Sequence, residues 1–163
     1  MRRISLILIT VMMCASISLA SAGDPLVIIQ AKDKELQVLL KQKPQNMAKL
    51  KELINSIFNF GELGRKALPS STWKSLSAEQ QSEFVGEFKR MVENSSVRKL
   101  EMYESDSTTY APVELKSSGS KAKVIASVWN GGKKSVLEYK MKQFDGNWAA
   151  YDLVIDDLST ARN

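Results

Sequence analysis

The chain has 163 residues, one cysteine and no histidine, and its 23 basic and 18 acidic side chains give a net charge of +5. Without histidine there is no Ser-His-Asp or Cys-His nucleophile system and no usual zinc ligand set. The positive balance does not point to nucleic acid either, because Lys32, Lys34, Lys41, Lys43, Lys49 and Lys51 are scattered without a series of stacking aromatics. These lysines read as a solvated helix face, or more sharply as a surface drawn to anionic lipid headgroups.

Arg2 and Arg3 precede an apolar run from Ile4 to about Leu19 and the small triplet Ala20-Ser21-Ala22. That order predicts an export signal cut after Ala22. A membrane anchor is the alternative, but the run is short for a span and is followed at once by the cleavage pattern. Cys14 lies mid-run behind Met13, so it does not fit a lipoprotein acceptor and is expected to leave with the signal. Cleavage would also remove two arginines and lower the net charge to +3. The roughly 140 residues that follow, 23–163, suffice for one domain, which without disulfides must rely on an apolar core.

Asp24-Pro25 predicts an N-cap with proline at the first helical position, and Leu26, Ile29, Leu36 and Leu40 recur close to helical spacing up to about Gln42. Pro44 breaks that helix. Met47, Leu50, Ile54, Ile57 and Phe58 mark a second one. Asn59 with Glu62 has the form of a capping box opening a short helix that ends before Pro69. Ser77 with Gln80 repeats the pattern before a long helix striped by Phe84, Phe88, Met91 and Val92 and later by Leu100 and Tyr103.

From Thr109 the period becomes two. "KAKVIASVWN" places Ala122, Val124, Ala126 and Val128 on one face, Asn130-Gly131-Gly132 turns the chain, and "KSVLEYKMKQF" puts Leu137, Tyr139 and Met141 on one face. Asp145-Gly146 leads into "NWAAYDLVI", and "TYAPVELKS" adds a weaker strand. The expected fold is α+β: N-terminal helices, one of them long, packed on a curved antiparallel sheet of about four strands. The small strand face should oppose the large stripe of the long helix. Either bulky helix residues fill the space or a cavity remains.

Reactive groups are scarce. Glu83 and Glu87 share a helix face with Arg90 and read as a solvated ion-pair row. Asp156 and Asp157, if on a strand, point to opposite faces and cannot share a proton. Gly131-Gly132 belongs to a hairpin and Gly61, Gly64 and Gly86 to helices, so there is no phosphate loop. Trp73, Trp129 and Trp148 read as core or rim aromatics before ligand platforms.

Residues 53–92 resemble the toluene-tolerance family of periplasmic MlaC proteins. Phe58-Asn59-Phe60, Ala67-Leu68, Trp73, Ser77, Glu79-Gln80 and Phe84 with Phe88 stand in the family's order, and "DGNWAAYDLVIDDLS" is similar to its closing segment. The resemblance spans Asp24 to Asn163. It implies no enzyme and no cofactor or metal. It implies a periplasmic carrier that holds a phospholipid by its acyl chains in an apolar pocket between helices and sheet. On this reading lipid passes between an outer-membrane lipoprotein complex and an inner-membrane ABC transporter complex with its substrate-binding-domain subunit, which maintains outer-membrane lipid asymmetry.

The lipid-binding residues so implied are Phe60, Leu63, Trp73, Phe84, Phe88, Met91 and Val92 from the helices, with Val124, Ala126, Val128, Leu137, Tyr139 and Met141 from the strands. Two acyl chains in water forfeit on the order of 20 kcal/mol at about 0.8 kcal/mol per CH2, which calls for a deep apolar site and no reagent. Three departures from the family pattern stand out. Ser95-Ser96 replace Thr-Tyr and are expected to alter the pocket or its mouth, Asp157 replaces a turn glycine, and the chain stops at Asn163 where a further helix usually follows, which leaves an open pocket as one expectation. The alternative function is a periplasmic adaptor that binds a protein partner, its interior filled by its own side chains.

Overall fold

A computed structural model describes residues 23–98 and 104–161. The predicted signal and the stripe positions Leu100 and Tyr103 lie outside the described residues, as does the stop at Asn163. Each early helix starts where a short polar side chain takes up a free backbone N–H. Asp24 Oδ1 accepts from Leu26 N–H at 2.8 Å to open α1 (Pro25–Lys41), and Asn46 Oδ1 accepts from Lys49 N–H at 3.1 Å to open α2 (Met47–Ile57). The two helices pair through Leu39, Leu40, Leu50 and Leu53, with Leu36 and Met47 packed at the side.

Asn59 Oδ1 accepts from Glu62 N–H at 2.9 Å and opens α3 (Phe60–Ala67). The expected reciprocal half of that box is absent: Asn59 N–H is taken by the Ala150 carbonyl at 2.8 Å, and the Glu62 carboxylate turns to Arg65 at 3.0 Å. A strand carbonyl outcompetes the local partner and ties the α2–α3 junction to the sheet. At Ser77 both halves form, with Gln80 N–H donating to Ser77 Oγ at 3.2 Å and Ser77 N–H to Gln80 Oε1 at 2.9 Å. They open α5 (Ala78–Arg98), and between the two caps lies a helix not predicted from the sequence, α4 (Ser70–Ser75), which has no side-chain cap. Gln81 Nε2 donates to the Trp73 and Leu76 carbonyls at 3.0 and 3.3 Å and locks α4 to α5.

The sheet is antiparallel, in the order β1 (Ser107–Tyr110), β3 (Lys121–Asn130), β4 (Lys133–Phe144), β5 (Asn147–Ile155) and β6 (Leu158–Ser159), with β2 (Glu114–Lys116) also on β3. Its centre is β3, β4 and β5, the three strands read from the period-two pattern. The weak strand is broken into β1 and β2, which lie end to end along β3. Pro112 stands in the break, where it has no N–H to give to the ladder. Asp156 and Asp157 are not strand residues: with φ of 47° and 68° they form the tight turn into β6. Aspartate tolerates that left-handed backbone, so the turn closes without the expected glycine.

The helices do not meet the sheet as expected. The face Ala122, Val124 and Ala126 is covered by α1, whose Ile29 is 1% exposed among them, and α5 packs instead against α3 beside β5. Both helices carry apolar stripes, so periodicity alone does not assign their partners. Branched Ile29 fits a floor of alanines and valine, whereas the phenylalanines of α5 pack on α3, where Gly64, lacking a side chain, leaves room for Phe84 and Val85.

Candidate functional site

The apolar interior consists of two clusters with Phe58 packed against both. The sheet cluster holds Ala122, Val124, Ala126, Leu137, Tyr139, Met141, Trp148, Ala150 and Leu153 beneath Ile29, with Leu26 and Ile28 at its margin. The helix cluster holds Phe60, Leu63, Phe88, Val92 and Ala161, with Phe84 and Val85 alongside. Phe58 contacts Phe60 ring to ring at 6.0 Å, while Trp73, Phe84 and Phe88 form a row with centroid spacings of 6.4 and 5.9 Å.

The expected lipid-binding residues therefore fall into two groups. Val124, Ala126, Leu137, Tyr139 and Met141 are buried together, with Val128 half-buried beside them. Phe60, Leu63, Phe88 and Val92 are buried in the helix cluster, with Phe84 half-buried and Trp73 at the far end of the aromatic row. Met91 stands apart at 57% exposure. Phe84, Phe88 and Val92 lie four residues apart and set the buried line. Val85 packs on the α3 side of it and Met91 falls past its opposite edge.

Sequence reading missed the α1 side of the interior and one polar feature within it. Asp33 of α1 accepts hydrogen bonds from the Tyr110 hydroxyl of β1 at 2.6 Å and from the Tyr139 hydroxyl of β4 at 3.2 Å. Burial pushes the Asp33 carboxyl above its usual 3.8, against the two hydroxyls that act to lower it, and burial followed by the Asp33 bond pushes Tyr110 upward. The cluster is a polar tie between α1 and the sheet. Its sequence signal is an acid at position 33, four residues after Ile29 and seven before Leu40, on the stripe that faces inward.

Asp152, 4% exposed, makes a second tie at the far edge, accepting from Lys140 Nζ at 3.2 Å, Ser159 Oγ at 2.8 Å and Ala161 N–H at 3.4 Å. It faces away from the sheet cluster because a bulge at Lys140/Met141 leaves Tyr151 without a partner and shifts the alternation of β5. A groove of about 450 Å³ reaches Trp148 of the sheet cluster at one end, between Asp24-Pro25 and Val113 with Leu115. A larger open groove of about 750 Å³ runs along α5 over Glu79, Glu83, Glu87 and Arg90. Arg90 Nη1 lies 2.5 Å from Glu87 Oε1 and both are well exposed, which is a solvated ion pair.

A family profile described as MlaC protein matches residues 26–163. The chain belongs to the MlaC family. That family is one of lipid-binding transport proteins. A solved structure of a phospholipid-binding protein from Ralstonia solanacearum, in complex with a phospholipid, aligns with a TM-score of 0.74 at 19% identity over 85% of this chain and 82% of that one. At that identity the likeness establishes a shared fold. No match was found among curated proteins. Of the departures from the MlaC pattern, Ser95 is exposed and its Oγ donates to the Val92 carbonyl at 3.0 Å, while Ser96 is half-buried.

Proposed function

We propose that this protein is a soluble periplasmic phospholipid carrier, exported by a signal cut after Ala22. On this reading it passes lipid between an outer-membrane lipoprotein complex and an inner-membrane ABC transporter complex, so maintaining outer-membrane lipid asymmetry. The observation that carries the reading is the pair of apolar clusters meeting at Phe58, floored by small strand residues and covered by a helix tied to the sheet through Asp33. Acyl chains would enter by parting α1 from the strand face, with Val124, Ala126, Leu137 and Met141 on one side and the Phe60, Phe84 and Phe88 cluster at the end. Family membership and the fold shared with a phospholipid-bound protein support it. Among the described residues no group of three or more metal-ligating side chains gathers, and no helix is long and apolar enough to cross a membrane.

A second reading is favoured by one specific observation. Val124 and Ala126 are 0% exposed, and Ile29 and Met141 are 1% exposed, so the interior is filled by the protein's own side chains. That filling suits a periplasmic adaptor with a protein partner and no cargo. The deciding experiment is purification from a bacterial periplasm, organic extraction and lipid mass spectrometry. Near-stoichiometric phospholipid is expected, and its absence from well-folded protein would select the adaptor.

A further inference from the structure

The sheet has a second face that neither reading uses. With Ala122, Val124 and Ala126 turned toward α1, alternation sends Lys121, Lys123, Ile125 and Trp129 of β3 outward, and the register sets Lys142, Lys140, Glu138 and Lys134 of β4 opposite them. Lysine therefore faces lysine at 121↔142 and again at 123↔140. The inner pair is compensated: Lys123 Nζ lies 2.8 Å from Glu114 and Lys140 Nζ 3.2 Å from Asp152. The outer pair is compensated only in part, through the Glu62 carboxylate of α3, whose field reaches Lys142. Lys121 and Lys142 make no ion pair within 4.0 Å among the described residues, and neither does Lys134 at the other end of the face. Like charges directly opposite each other weaken a sheet, so this arrangement costs stability in the isolated protein.

Apolar groups stand among these cations. Trp129 and Val136 are each 38% exposed, and Lys134 Nζ lies 5.7 Å from the Trp129 ring centroid. An exposed indole beside a lysine, on a sheet face with Lys121 at one end and Lys134 at the other outside any ion pair, suits the headgroup zone of an anionic bilayer, where the ring enters the boundary and the ammoniums meet phosphate. We propose that the uncovered face of the sheet docks onto anionic lipid surfaces, through Lys121 and Lys134 with Trp129 as the inserted ring. Charge complementarity selects this occupant. The docking does not depend on whether the interior carries lipid.

The test is flotation of the purified exported protein with vesicles of phosphatidylcholine alone or mixed with phosphatidylglycerol. Selective recovery with the phosphatidylglycerol vesicles at low salt is expected, with loss of binding near 0.5 M salt, where the screening length falls to a few Å. Each lysine at such a surface is worth roughly fivefold in partitioning, so K121Q with K134Q should lower it about 25-fold, and W129A should lower it with the salt dependence kept. Circular dichroism confirms that these exposed-site variants fold. K34Q with K41Q, at exposed positions of α1, serves as the competing surface. Equal recovery with both vesicle types would overturn the proposal, as would binding lost in the α1 pair and kept in the sheet pair. Binding to an acidic protein without binding to any vesicle would also overturn it. Docking is read as protein in the vesicle fraction and cargo as lipid in the protein fraction, so failure of one reading is distinct from failure of the other.

Discussion

Asp33 is the residue on which the α1–sheet contact can be tested without disturbing its apolar packing. Its carboxyl lies above the ordinary 3.8 chiefly because burial disfavours the charge. A folded value above the unfolded one means that the folded chain holds this proton more tightly. The stability due to this group is therefore full below 3.8 and is lost as pH rises through the folded value. Glu62 runs the other way: the Arg65 bond holds its carboxyl below 4.5, and its share is lost as pH falls through that lowered value. In a comparison of wild type with Asp33→Asn the Glu62 contribution is common to both and cancels. Wild type should gain in thermal midpoint relative to the variant between about pH 7 and about pH 4. A constant difference across that range would show that Asp33 titrates in the folded protein as it does in the unfolded chain.

Among the elements, the α3–α5 contact depends on a glycine whose role the sequence does not display. A Cβ placed on Gly64 would sit 3.2 Å from Val85 Cγ2 and 3.7 Å from Phe84 Cε1, so even a methyl group there would press on Val85 and a larger side chain would have to displace α5. Gly86, on α5, has nothing within 4 Å of such a Cβ. Gly64→Leu should force the helices apart and destabilise by about 1–3 kcal/mol, while Gly86→Ala should stabilise by up to about 1 kcal/mol through helix propensity. Denaturant midpoints for the two variants check both signs. Both positions read as helical glycine from the sequence, and only the packing separates them. The same holds for α4: Pro69 and the serines around Trp73 are local signals compatible with a loop or a short helix, and the Gln81 bonds to Trp73 and Leu76 give that segment its place.

For the whole molecule the question is whether the interior opens. Val124 is 0% exposed under Ile29, and Ile125 beside it points to the uncovered face. If acyl chains part α1 from the strands, Val124→Glu places a carboxylate where hydrocarbon should lie, and lipid and charge exclude one another. The variant is expected to fold and to lose its lipid, because a cleft without lipid admits water to the carboxylate. Ile125→Glu is expected to keep its lipid. Lipid content beside a thermal melt checks both. Unfolding of Val124→Glu, at a cost of several kcal/mol, would mean a permanently dry core and favour the adaptor. A folded variant with full lipid would remove this face from the site.

The sequence by itself determined the elements: proline and polar caps set the bounds of α1, α2, α3 and α5, alternation set β3, β4 and β5, and missing histidine removed the common reagents. These are local properties, fixed by neighbours a few residues apart. Which helix covers the small strand face was decided only in three dimensions, where volume and shape match branched Ile29 to alanine and valine and send the phenylalanines of α5 to Leu63 and Gly64. So was the tie at Asp33, whose partners are 77 and 106 residues away. The bulge that leaves Tyr151 outside the ladder likewise follows from what the strand meets across the sheet, because an apolar stripe states that a face will be buried and not against what.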